Sequence, residues 1–243
     1  MEKHKKGILY TERTADSRDS RPVPPEVVHF SLPEITEHFS DGLRAVRDQF
    51  DVADSLVSEG REESAKTIWR SQIVLAEGLL DFHIHEISKY CLFRMFNREW
   101  EKSERYDSIM IPMREVEKAV STNYKNWFFN FMNDKMAREV FLSSESMRDQ
   151  LNLAGLGFAE VMARAFPEKN EHDSIRHGIS VVGELFRRRN EIAHQSDRSH
   201  ASAELNDITK EYTEDYISKI EAIVNAIDTE ASCREREYLN SSD

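Results

Sequence analysis

The sequence contains no apolar run approaching the roughly 20 residues that span a bilayer. Its N-terminus, Met1-Glu2-Lys3-His4-Lys5-Lys6, is not followed by the apolar stretch of a signal peptide. The expectation is a cytoplasmic protein with no membrane partner. Only two cysteines occur, Cys91 and Cys233, far apart and without metal-ligand spacing, so both read as ordinary thiols. Gly-x-Ser-x-Gly and Gly-x-x-x-x-Gly-Lys are both missing, which excludes the usual serine-hydrolase and phosphate-loop signatures. The pair Gly155 and Gly157 lies inside an apolar helical stretch and follows no strand, so close helix packing explains it better than a dinucleotide site. An excess of positive charge is lacking too. With 33 Lys and Arg against 45 Asp and Glu, the formal charge is −12, which argues against a protein that coats duplex nucleic acid.

Helix breakers are also few, 8 Gly and 6 Pro, and four of the prolines precede residue 34. Apolar residues recur at three- and four-residue spacing, and no segment alternates long enough to form a sheet. The expected fold is an all-α bundle of about five or six helices, in a chain whose 39% hydrophobic content suffices for a core. Residues 1–30 read as a flexible arm and 31–243 as one domain, divided into a leading helix over 31–60, a bundle over 64–227 and a polar tail over 228–243. Ser31, Pro33 and Glu34 form a helix start, with a cap, a first-turn proline and a capping-box acid. The second helix carries apolar residues round most of its circumference, as a central helix does. Helical stretches follow over 114–120, 123–142, 146–165, 174–194 and 204–227. The cluster Trp127, Phe128, Phe129 and Phe131 reads as core or as a subunit contact.

The most informative residues are Arg189-Asn190-Glu191-Ile192-Ala193-His194. An arginine matches phosphate with a fixed fork of donors, and a histidine exchanges a proton near neutral pH. On a regular helix residues five apart are turned by about 140°, so the spacing predicts a break that lets His194 swing toward Arg189, or a site completed by a second copy. The segment, flanked by Leu185-Phe186-Arg187-Arg188 and Gln195-Ser196-Asp197-Arg198, resembles the signature of the HEPN superfamily, and most closely its RiboL-PSP-HEPN-like group, over roughly Ser64 to Ile227. The resemblance implies a helical, metal-independent endoribonuclease working as a homodimer on RNA, in the role of a toxin or anti-phage effector with an antitoxin or regulatory partner. It implies that Arg189 and His194 carry the reaction with Asn190 beside them. Where some HEPN toxins have a tyrosine two places after the histidine, this chain has Ser196, so silencing by modification there is not expected.

Around the motif, Arg187, Arg188, Arg198 and His200 complete a basic patch in an acidic chain and are candidate RNA contacts. Glu77, Asp81 and His85 form a polar row on the apolar second helix. Either Glu77 or Asp81 pairs with Arg189 and orients it, or the row is a solvated stripe. His83 and His85 point to different faces, so no metal and no cofactor are expected. The alternative reading is a non-catalytic helical module that binds RNA or a partner through the same loop.

Overall fold

The computed structural model describes residues 29–122, 126–199 and 203–241, and within them the architecture is all-α. The eight α-helices are α1 (Leu32–Ser58), α2 (Glu62–Phe96), α3 (Met113–Thr122), α4 (Trp127–Met136), α5 (Ser144–Ala154), α6 (Phe158–Ala165), α7 (Glu171–Gln195) and α8 (Lys210–Ser241). The arm read over residues 1–30 lies outside the described residues apart from His29 and Phe30. Among the described residues no helix is long and apolar enough to cross a membrane.

Helix α1 starts as its sequence dictates, with Pro33 in the first turn and the Glu34 carboxylate accepting the Ser31 N–H at 2.7 Å. It buries Ile35, Phe39, Leu43, Val46, Phe50 and Ala53, a three-four stripe laid along α2. Gly60, at φ 74°, makes the tight reversal between the two helices. The 35 residues of α2 form the axis of the bundle: α1, α4, α5, α7 and α8 all pack on it, and Ile73, Ala76, Leu80, Ile84, Ile87 and Cys91 are buried in the shared core.

Eight helices replace the expected five or six because short breakers act where periodicity alone runs on. Gly155, at φ 73°, ends α5 in the left-handed region and Gly157 caps α6, so the stretch over 146–165 is two helices. The described part of the stretch over 123–142 is helical only in α4, after which the Phe141 N–H donates to the Asp81 carboxylate at 2.8 Å. The last helix departs from expectation at both ends. Its start moves from residue 204 to Lys210 because the preceding residues belong to a pinned loop. It runs to Ser241 because the charged residues of the supposed polar tail have partners. Glu235 accepts from the Tyr90 hydroxyl at 3.1 Å and the Trp100 indole at 3.2 Å and pairs with Arg94, while Arg234 donates to the carbonyls of Ala154, Gly155 and Glu101.

Helices α6 and α7 approach most closely at Gly178, where an added Cβ would lie 2.7 Å from the Met162 Cβ. Gly178→Ala should therefore destabilise the fold by roughly 1–3 kcal/mol through overpacking, against alanine's helix preference of about 1 kcal/mol. Denaturant unfolding reads this as a lowered midpoint at unchanged slope; an equal or raised midpoint would show that the two helices are not in close contact there.

Candidate functional site

Helix α7 is capped at its start by the Asn170 side chain, which accepts the Asp173 N–H at 2.9 Å. It ends with Ser196 and Asp197 both left-handed, at φ 53° and 56°. The Asp197 N–H closes the helix on the Glu191 carbonyl at 2.9 Å. Two consecutive non-glycine residues in that region are strained, and the Asp197 side chain supplies what holds them there.

The Asp197 carboxylate has no exposure to solvent. It accepts the Arg70 Nε–H at 2.6 Å, the Arg188 Nη2–H at 3.0 Å, a second bond from Arg188 Nη1, and the Asn206 amide at 3.1 Å. Burial alone would raise this carboxyl, but the bonds from Arg188, Arg70 and Asn206 outweigh it and hold the group below the ordinary carboxylate value. Arg70 also donates to the Asn206 carbonyl at 2.7 Å, and the Asn206 N–H returns to the Asp197 carbonyl at 2.8 Å. The loop between α7 and α8 is thus fixed to α2 and α7 at one point.

This corrects the expectation for Arg188. Its guanidinium is buried and occupied by Asp197, so it holds the loop and cannot meet a phosphate. Arg187 is exposed and pairs with Glu191 one turn on. Arg198 is exposed, with Nη1 donating to the Ala203 carbonyl at 2.7 Å. His200 lies outside the described residues.

One position along, the half-buried Arg189 points the other way. Its Nη1 donates to the Asn190 side-chain oxygen at 3.0 Å and lies 3.3 Å from Nε2 of the exposed His194. The expected break in the helix is not needed, since α7 is helical through Gln195. Side chains on a helix lean toward its N-terminus, and the long arginine covers the remaining angle. A guanidinium has only donors, so this contact is a hydrogen bond only with Nε2 as the acceptor.

Beneath Arg189 lies Glu77, which is buried and therefore not part of a solvated stripe. The Tyr216 hydroxyl stands 2.8 Å from Glu77 Oε1 and 2.7 Å from the Leu185 carbonyl. A phenol has one proton. Both contacts are satisfied together only if Glu77 is protonated and donates to Tyr216, which in turn donates to Leu185. Burial, chiefly, raises Glu77 from 4.5 to about 7, against the opposing charge of Arg189. Its Oε2 and the Arg189 Nε are both buried without a partner. Asp81 is committed elsewhere, to Phe141, with His85 Nε2 3.8 Å away, while His83 faces Asp228 at 2.8 Å. Among the described residues no three His, Cys, Asp or Glu side chains are grouped to hold a metal ion. Tyr216 and Arg70 were not legible as site residues, because each meets its acid across more than 100 residues of sequence, and Asn206 was not because it reaches Asp197 only once the loop folds back.

No family model, no curated protein and no solved structure matches this chain.

Because the folded value of Glu77 lies above its ordinary one, its contribution to stability is full below 4.5 and is lost as pH rises through about 7. The loss is on the order of 3 kcal/mol. Glu77→Gln keeps a neutral donor at every pH and should flatten this dependence. Parallel stability–pH curves for the two proteins would contradict a protonated Glu77.

Proposed function

We propose that this chain is a metal-independent endoribonuclease that cleaves RNA by attack of a ribose 2′-hydroxyl on the adjacent phosphate. The observation that carries the reading is one surface cluster at the end of α7, with the Arg189 guanidinium between the Asn190 amide and the His194 imidazole. The HEPN resemblance points the same way. Arg189 binds the phosphate oxygens and offsets the charge that builds at phosphorus. An arriving phosphate takes the Arg189 donor and releases Nε2 of His194, which in its neutral form accepts the 2′-hydroxyl proton. The O2′–P bond forms and the P–O5′ bond breaks.

The departing 5′-oxygen needs a proton from the opposite side of phosphorus. The site of one copy offers a single imidazole, so we assign the acid to His194 of a second copy in a two-fold homodimer, left in its charged form by the preceding turnover. The two histidines then exchange roles at each cycle. In this reading the protein acts in the cytoplasm as a toxin or anti-phage effector, restrained by an antitoxin or regulatory partner.

Purified protein incubated with mixed RNA in excess EDTA should release fragments ending in 2′,3′-cyclic phosphate and leave DNA intact. His194→Ala should lower the rate by about 100-fold or more. Intact RNA would remove this reading in favour of a non-catalytic binding module, and undiminished cleavage by the variant would take the reaction away from His194.

A further inference from the structure

A groove of about 450 Å³ runs between α3 and α4, on the part of the bundle away from the Arg189 cluster. Helix α4 packs on the far half of α2, where Asn133 meets Lys89 at 3.0 Å and Phe129 meets Phe93. Lys89 is twelve residues beyond Glu77 on α2, or about 18 Å along its axis.

Four cations line the groove, Arg114 and Lys118 from α3 and Lys135 and Arg138 from the α4 side, together with two aromatic rings, Trp127 and Phe131. Only two acids, Glu115 and Asp134, accompany them, so the lining is +4 − 2 = +2 in a chain of net charge −12. The arrangement is helical in origin. Arg114 and Lys118 are four residues apart on α3, and Trp127, Phe131 and Lys135 follow one another at the same spacing on α4, so each helix turns one row to the groove. Both rings are half-buried. Lys135 stands 5.7 Å over the Phe131 ring. Arg138 has no ion-pair partner among the described residues, and Arg114 pairs only with its neighbour Glu115 at 3.2 Å, largely exposed.

Rings bordered by cations on a concave, locally positive surface have a specific complement, an unpaired base attached to a phosphate. Bases in a duplex have no free face, whereas a single strand offers a face for stacking and a charged backbone on either side. A volume of this size is that of a small-ligand pocket and suits one or two nucleotides rather than the broad surface of a helix. We propose that the α3–α4 groove binds unpaired nucleotides of a single-stranded nucleic acid, through Trp127 and Phe131 on the bases and Arg114, Lys118, Lys135 and Arg138 on the phosphates. The inference stands without the cleavage reaction, since stacking and phosphate contact require neither His194 nor a 2′-hydroxyl.

Trp127 makes the test direct. Of the three tryptophans, Trp69 and Trp100 are buried and Trp127 borders the groove. Titrating the full chain with an oligothymidylate about ten nucleotides long, which the proposed cleavage cannot consume, should quench the emission saturably. Affinity should fall as salt rises. The doubly reversed variant Arg114→Glu/Arg138→Glu, at exposed positions, should weaken binding by about tenfold or more, and Trp127→Phe should abolish the quench while retaining most of the affinity. The proposal is overturned by absence of a saturable quench, by equal binding of a blunt duplex or of polyglutamate, or by undiminished affinity in the reversed variant.

Discussion

The carboxylate of Asp197, sealed from solvent and gripped by two arginines and an amide, is the interaction on which the end of the bundle depends. It joins α2 through Arg70, α7 through Arg188 and the loop toward α8 through Asn206. A buried charge with a missing partner costs several kcal/mol, so the four groups are retained together or not at all. The consequence is geometric. Holding Ser196 and Asp197 in the left-handed region stops α7 one residue past His194, and turning Arg188 inward leaves Arg189, a step of about 100° further round, facing the other flank of the helix. Neighbouring arginines of identical chemistry thereby take opposite tasks.

The proton shared by Glu77 and Tyr216 is the second constraint. It ties α2 to α8 and reaches the Leu185 carbonyl one turn before Arg189. A neutral Glu77 leaves the guanidinium above it free to turn outward to Asn190 and His194. An ionised one would present a buried anion beside a buried, unpartnered Arg189 Nε, and the balance of the cluster would shift inward. The cluster's state is therefore linked to the protonation of a residue that no solvent touches.

Much of this was legible in the sequence where a local rule decides. The α1 start was readable from Ser31, Pro33 and Glu34, and the central place of α2 from its all-round apolar face, whereas the spacing of Arg189 and His194 called for a helix break that does not occur. What was not legible depended on partners distant in sequence. Charged residues near the C-terminus looked like a solvated tail, yet Arg234 and Glu235 bind groups of α2, α5 and the segment after α2. Arg188 looked like one more member of a basic patch, because nothing local reveals that Asp197 folds back over it. Counting cations along a chain overstates the positive surface whenever some of them are bound to buried acids. Glycine acts in the opposite sense: periodicity carries a helix through Gly155, and its left-handed conformation ends one.

The division of labour between adjacent arginines is the central claim, and one paired measurement tests it. Arg188→Ala and Arg189→Ala, prepared alike and held near pH 6 where Glu77 is largely neutral, are compared for unfolding free energy and for RNA cleavage in EDTA. Arg188→Ala should lose roughly 3–5 kcal/mol of stability. Arg189→Ala should stay within about 1 kcal/mol of the parent in stability and lose cleavage. A stable Arg188→Ala, or an Arg189→Ala that unfolds like its neighbour or still cleaves at the parent rate, would contradict it.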